Sequence, residues 1–310
     1  MADTLPSPGV EDPVSLADKA VKDKVHRYYQ ATTRDYLRYY ETGWHHHMHF
    51  GFDRDLPEGG NPTEHMVRYL AGLAGVKASD RVLDAGCGVG GSAIWLAREI
   101  GCRSLGITLV ESQARLAVGF AAKRKVGGNL QDAGRAGGAA AFVVNDFSSP
   151  AFKPGFFDVV WAVESFDHAP DKCAWVESMH AILRPGGRLI IADGFRTEVD
   201  MSRGQARAYG RFLEGWAVPH LCTGGELDAY ASAAGFARMH GEDLTEDVLP
   251  HSRAIYRFGF LFIPWRWGLR RLGLSSPEKL GNALATFYQY RTLKRGLWQY
   301  RVHCYRKPWP

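Results

Sequence analysis

One acid followed by small residues, Asp84-Ala85-Gly86-Cys87-Gly88-Val89-Gly90-Gly91, continues the apolar pair Val82-Leu83. A strand that runs into glycines and then a helix lets backbone approach a ligand closely, because no Cβ stands in the way. The spacing of Gly86, Gly88 and Gly91 also satisfies G-x-G-x-x-G, so a dinucleotide site is one reading. Two features oppose it. Asp84 would repel a pyrophosphate but orient the ammonium of an amino-acid ligand. The second strand closes on Gly106-Ile107-Thr108, where a nicotinamide ribose requires an acid. A purely structural glycine turn is the third reading.

A second constellation, Glu164-Ser165-Phe166-Asp167-His168-Ala169-Pro170-Asp171, follows a later apolar strand. That position is the carboxyl edge of the sheet, where ligands sit in doubly wound folds. A carboxylate such as Glu164 beside a developing cation both stabilises it and accepts the proton that must leave. His168 would deprotonate a phenol near neutral pH. The bland alternative is that Glu164 only hydrogen-bonds backbone or a substrate hydroxyl and His168 caps the next helix. His45, His46, His47 and His49 suggest a metal, but neighbouring histidines on one loop cannot aim four rings at one ion. No metal ligand is assigned, and His47 and His49 are expected to touch ligand or substrate.

The elements that must position these groups follow from periodicity. Strands are predicted at 81–84, 104–108, 141–145, 157–163 and 188–193, and helices at 91–100, 111–123 and 172–183. Strands separated by helical runs mean parallel βαβ units, and continuously apolar strands mean that both sheet faces are covered. Helical spacing of Val21, Val25, Tyr29, Tyr36 and Tyr40 predicts helix over 12–42, and another is expected over 63–75. Beyond 196 the rhythm changes: helices at 199–218 and 226–234, a sixth strand at 236–243, an aromatic and basic insertion at 250–295 and a last strand at 297–307. The fold class is therefore α/β, a doubly wound, mostly parallel seven-stranded sheet with helical caps at both ends.

Composition narrows the rest. The net charge of +5 over 310 residues makes no case for nucleic acid, and no apolar run approaches a bilayer span. Five cysteines without C-x-x-C spacing suggest neither zinc nor a disulfide framework and fit a reducing cytoplasm. The first residues have no signal-peptide pattern.

The run D-A-G-C-G-x-G-G resembles the first motif of class I S-adenosylmethionine-dependent methyltransferases. That resemblance implies S-adenosylmethionine as cofactor, S-adenosylhomocysteine as product, and Asp84, Gly86, Gly88 and Gly90 along the methionine end. Many such enzymes hold the ribose with an acid after the second strand; here the place reads Gly106-Ile107-Thr108-Leu109-Val110-Glu111-Ser112-Gln113. It is similar to the G-x-T-L-x-x-x-Q of tocopherol and cyclopropane-forming methyltransferases, which implies Thr108 and Gln113 at the ribose. Asp146-Phe147 resembles the pair that binds adenine, although an acid at a strand end is otherwise an ordinary solvated residue. E-S-x-x-H-x-P-D-K resembles γ-tocopherol methyltransferases and E-x-x-x-H-A-P-D the sterol side-chain methyltransferases, as do the segment Trp44–Phe52 and the run Trp216-Ala217-Val218-Pro219. The match extends from about residue 27 to the end and implies carbon methylation of a lipophilic small molecule, with relatives acting on oxygen or nitrogen.

The expected division is a single methyltransferase domain: a disordered leader at 1–12, an N-terminal helical cap at 13–62, a cofactor-binding core at 63–196, a substrate lid at 197–295 and a last strand at 296–307. Glu164 and His168 are the catalytic candidates; Tyr40, Trp44, His47, His49, Trp216 and Tyr256 are the substrate candidates. The aromatics and arginines of 250–275 fit two roles, a lid around a greasy pocket or a segment resting on a membrane. Mg²⁺ enters only if the substrate is a diphosphate, and a homo-oligomer stays open.

Overall fold

A computed structural model describes residues 13–40, 46–128 and 138–310, without the side chains of 13–16 and 39–40. The expected leader at 1–12 and the substrate candidate Trp44 lie outside the described residues, as does the side chain of Tyr40.

Among the described residues seven strands form one sheet: β1 (Arg81–Ala85), β2 (Arg103–Thr108), β3 (Ala139–Val144), β4 (Phe157–Val163), β5 (Leu183–Arg196), β6 (Ala237–Asp243) and β7 (Trp298–Arg306). Their order is β3-β2-β1-β4-β5-β7-β6. The first five run parallel, and β7 lies antiparallel between β5 and β6. This is the Rossmann-like methyltransferase architecture expected from the sequence. The fifth strand is longer than its apolar run: Leu183–Arg196 includes the Pro185-Gly186-Gly187 turn, because β7 pairs with it from Arg188 to Arg196 and the Lys307 amide reaches the Gly187 carbonyl at 2.8 Å.

Among the described residues there are nine α-helices: α1 (Pro13–Asp35), α2 (Pro62–Leu73), α3 (Gly91–Trp95), α4 (Glu111–Lys123), α5 (Lys172–Ile182), α6 (Arg203–Gly215), α7 (Gly224–Ala233), α8 (Thr245–Arg271) and α9 (Pro277–Leu293). Their starts are chemically marked. Asn61 accepts from the Thr63 and Glu64 amides ahead of Pro62, and Ser202 and Thr223 form capping boxes with Gln205 and Glu226. The helix expected at 91–100 changes to a π turn at Leu96–Ile100, ended by Gly101.

Alternate strand residues face opposite layers. Val82, Val159 and Ile190 pack with Met66, Leu70, Phe212 and Leu293, while Leu83, Val160 and Ile191 pack with Trp175, Met179 and Leu227. Both faces of the sheet are thus dry, which is why the strands read as unbroken apolar runs. The insertion at 250–295 is an antiparallel-sized pair of long helices, α8 and α9, in close approach at Gly259, where a Cβ would fall 1.8 Å from Thr286 Oγ1.

Candidate active site

The carboxyl ends of β1, β2, β4 and β5 bring Asp84, Thr108, Glu164 and Asp193 to one edge of the sheet. Two cavities open there. The first is lined by the glycine loop (Gly86, Cys87, Gly88, Gly91), by Asp84, Thr108, Gln113 and Phe147, and by Val25 and Tyr29 from α1. The second, of about 400 Å³, is walled by Tyr28, Tyr36, Phe50, Phe212, Trp216, Trp298 and Tyr300. Tyr29, His47, Met48, His49, Glu164 and His168 line both. Those six side chains are where one ligand would meet another.

The first cavity is built for a cationic, close-lying ligand. Asp84 is buried, its Oδ2 has no hydrogen-bond partner among the described residues, and burial pushes its carboxyl up to about 7. An ammonium beside it would satisfy the orphaned oxygen. Gly86 and Gly88 have φ of +95° and +53°, and a Cβ on Gly86 would stand 2.4 Å from that of Ser165. Thr108 Oγ1 donates to Gln113 Oε1 at 2.7 Å, and Gln113 Nε2 donates to Thr33 Oγ1 of α1 at 3.0 Å. These polar groups and the Phe147 ring fit S-adenosylmethionine: acid for ammonium, glycine cradle for the chain, hydroxyl and amide for ribose, ring for adenine.

Three expectations need correction. Gly90 does not line the cavity; it starts α3 at φ +89°, and a Cβ there would meet the Phe142 ring at 2.7 Å, so the residue serves packing. Asp146 also points elsewhere: its carboxylate pairs with Lys22 of α1 at 2.6 Å and accepts from the Ser148 amide at 2.8 Å. Tyr256 packs on Phe287 and Tyr290, away from the second cavity, because it lies on the α9-facing side of α8. Trp216 lies in the wall of the second cavity, its indole N–H donating to Asn282 Oδ1 at 3.0 Å.

Glu164 sits just past β4 with φ +49°, a left-handed conformation that costs a non-glycine residue about 1 kcal/mol. Its Oε1 accepts from the Phe50 amide at 2.6 Å and from Tyr300 Oη at 3.0 Å. Burial, helped by Asp193, holds its carboxyl well above the usual carboxylate range despite those donors. His168 Nε2 meets Tyr29 Oη at 2.8 Å, and burial lowers the imidazole to about 4, so it is neutral at neutral pH. Asp193 Oδ2 accepts from the Ser165 and Asp167 amides, both at 3.1 Å, and thereby holds the loop that carries Glu164 and His168.

The histidine segment lies directly over the glycine loop. A Cβ on Gly91 would stand 2.4 Å from the His46 carbonyl oxygen, and one on Gly88 would stand 3.3 Å from Met48 Sδ. The glycines therefore admit a second stretch of chain as well as a ligand. His47 and His49 line both cavities, His49 with its Nδ1 on the Phe50 carbonyl at 2.8 Å and burial lowering it to about 4. His46 stacks on Phe120.

Tyr300, Asn282 and Asp193 are site residues that motif reading missed. Asn282 Oδ1 collects Tyr28 Oη at 3.0 Å, Tyr36 Oη at 3.4 Å and the Trp216 indole, joining three elements around one acceptor. The only local signal was the acid ending an apolar strand at Asp193; Tyr300 and Asn282 had none.

A family model described as a methyltransferase domain matches residues 53–240. A probable tocopherol O-methyltransferase, chloroplastic, of Oryza sativa subsp. japonica is 27% identical over 285 residues, spanning 87% of this chain and 75% of the relative. A sterol 24-C-methyltransferase of Gibberella zeae is 31% identical over 231 residues, 72% of this chain and 58% of the relative. The geranyl diphosphate C-methyltransferase of Streptomyces coelicolor A3(2), solved with Mg²⁺, geranyl diphosphate and S-adenosyl-L-homocysteine, superposes with a TM-score of 0.66 at 18% identity, covering 97% of this chain and 100% of that one. At that identity the likeness concerns the fold.

Proposed function

This chain belongs to the methyltransferase domain family, and we propose that it transfers the methyl group of S-adenosylmethionine to carbon of an isoprenoid or prenylated aromatic acceptor held in the aromatic cavity. The observation that carries the reading is the position of Glu164, in the wall shared by a cavity suited to the cofactor and an apolar one of about 400 Å³.

The cofactor, when bound, supplies an electrophilic methyl group. Asp84, Thr108, Gln113 and Phe147 would hold it, and the glycine loop would let it lie close. The chain's own contribution is orientation and exclusion of water by α1, α8 and α9. Attack by an alkene or aromatic carbon leaves positive charge on the acceptor. The rings of Tyr28, Tyr29 and Trp216 line that cavity, and an aromatic face turned to such charge contributes about 0.5–2 kcal/mol. Glu164 accepts the departing proton at its carboxylate. Its raised proton affinity matches that task better than an ordinary exposed carboxylate would. His47, His49 and Trp216 shape the acceptor's seat.

A second reading is methylation of a phenol oxygen, favoured by the contact between His168 Nε2 and Tyr29 Oη. A neutral imidazole there would take the phenolic proton. Glu164→Gln separates the two, because the oxygen reaction leaves Glu164 without a proton to remove.

The cavity wall also bears on substrate charge. Glu164, Asp167 and Asp193 line it, and no Lys or Arg does among the described residues. This lining offers a diphosphate no cationic partner of the chain's own, so the proposed acceptor is uncharged. Incubation with methyl-labelled cofactor and three acceptors tests this: a prenylated hydroquinone, a sterol with an unsaturated side chain, and a prenyl diphosphate with Mg²⁺. Label in either neutral lipid supports the reading. Label only in the diphosphate, or in none of the three, overturns it.

Such an acceptor dissolves in bilayers, so peripheral membrane contact is part of the proposal. No described helix is long and apolar enough to cross a membrane.

A further inference from the structure

Exposed apolar side chains are concentrated on one element. Phe260, Leu261, Trp265 and Trp267 of α8 are 59%, 73%, 60% and 51% exposed, and Leu272 and Leu274 just beyond it are 72% and 71% exposed. Arg257, Phe260, Leu261, Pro264, Trp265, Trp267, Gly268, Arg271 and Leu272 recur at three- and four-residue steps, so they form one stripe along the helix. Ser252, Ile255, Gly259, Phe262 and Arg266 recur on the opposite side, and that side turns inward: Ile255 lines the acceptor cavity, Gly259 packs against Thr286 and Arg266 pairs with buried Asp35 at 2.7 Å. One helix thus separates the acceptor cavity from an apolar outer surface.

The charge around the stripe has one sign. Between Asp247 and Glu278 the chain carries five arginines and no acid. Arg266 is neutralised inside; Arg257, Arg270 and Arg271 remain at the surface, Arg271 lying 4.0 Å over the Trp267 ring. Beside the end of α8 a groove of about 650 Å³ places Lys24, Arg27, Arg211 and Arg270 against Glu214 and Glu278. Aromatic and aliphatic side chains projecting between arginines suit the boundary of acyl chains and anionic headgroups.

We propose that the outer face of α8, from Arg257 to Leu274, docks on a bilayer containing anionic lipid, with the groove at Arg270 receiving a headgroup phosphate and α8 forming the wall past which the acceptor leaves the bilayer. The docking rests on the lipophilic-acceptor reading only for its purpose, and its evidence is separate. Charge complementarity selects the occupant: a second copy of this chain would bring the same arginines against themselves.

Flotation of the full chain with vesicles of phosphatidylcholine, with and without phosphatidylglycerol, tests it. The chain is expected to float with anionic vesicles and to be released by salt. Leu261→Glu with Trp265→Glu is expected to weaken binding by more than about tenfold, and Arg270→Glu with Arg271→Glu to remove the preference for phosphatidylglycerol. Both exposed-residue variants report their folding through unchanged affinity for S-adenosylhomocysteine. Leu261→Glu/Trp265→Glu is expected to methylate a detergent-dispersed acceptor normally and a vesicle-borne acceptor slowly. Absence of vesicle binding by the unaltered chain overturns the proposal, as does undiminished binding of the first variant. A dimer in light scattering that this variant dissociates also overturns it, since a second copy then covers the stripe. Methyl transfer without vesicle binding sinks the docking alone; vesicle binding without transfer to any neutral lipid sinks the functional reading alone.

Discussion

At the scale of single residues, the site is a set of buried ionisable groups whose solvation has been exchanged for a few fixed contacts. Glu164 is expected to govern rate more than binding. Glu164→Gln keeps the shape and still accepts from Phe50 and Tyr300, so kcat should fall by about 100-fold or more while calorimetric affinity for S-adenosylhomocysteine stays within about twofold. An unchanged kcat would favour the oxygen acceptor. Asp84 makes a prediction about pH. Its folded value near 7 lies above the unfolded value of 3.8, because the buried carboxylate has an oxygen without a partner. The folded ligand-free chain therefore binds a proton more tightly than the unfolded one between those values, and this contribution to stability is present at low pH and lost as pH rises toward 7. Asp84→Asn removes it, so without ligand the variant should gain in Tm relative to the unaltered chain as pH goes from about 4 to 7. Cofactor binding should show the reverse, since only the carboxylate attracts an ammonium.

At the scale of elements, α1 is the piece that joins the two cavities. It lines the cofactor side with Val25, reaches Gln113 through Thr33, and lines the acceptor side with Tyr28, joined just past its end by Tyr36. Its far end is held by Asp35, which meets Arg266 of α8 at 2.7 Å and Lys279 of α9 at 3.7 Å, with only 12% of the Asp35 and Arg266 side chains exposed. Removing one partner of a largely buried pair costs more than the pair itself contributes, because a charge is left without compensation. Asp35→Ala is expected to lower stability by roughly 3 kcal/mol and to speed amide exchange along α1. Bound S-adenosylhomocysteine should slow that exchange again through Val25, Tyr29 and Thr33. Exchange in the variant equal to that of the unaltered chain would show that α1 is held by packing alone.

At the scale of the whole molecule, the acceptor cavity is walled by aromatic rings and carboxyls while the arginines of the same insertion lie outside it. The insertion thus divides an inner acidic wall from an outer basic surface. A prenyl diphosphate is expected not to inhibit methylation of a neutral acceptor at concentrations where the neutral acceptor saturates, and a chelator is expected to leave that rate unchanged. Competitive inhibition by the diphosphate would overturn the charge argument.

Features that depend on near neighbours along the chain could be read without a fold. Unbroken apolar strands between helical runs specified a parallel sheet dry on both faces, and strand ends with glycine or acid marked Asp84, Gly86, Gly88 and Glu164 as edge residues. Periodicity encodes which side of an element is buried, so these readings needed no partner. Tertiary structure alone decided which distant groups meet. Tyr300 comes to Glu164 from 136 residues away, and His168 meets Tyr29 across 139. Asp146 had the right register for adenine yet turned to Lys22, and Tyr256 had the right composition for the pocket yet turned to α9. The physical reason is the same in each case: an acid or a ring at a given position has several partners of similar worth, and only the path of the caps back over the sheet places one of them within contact distance.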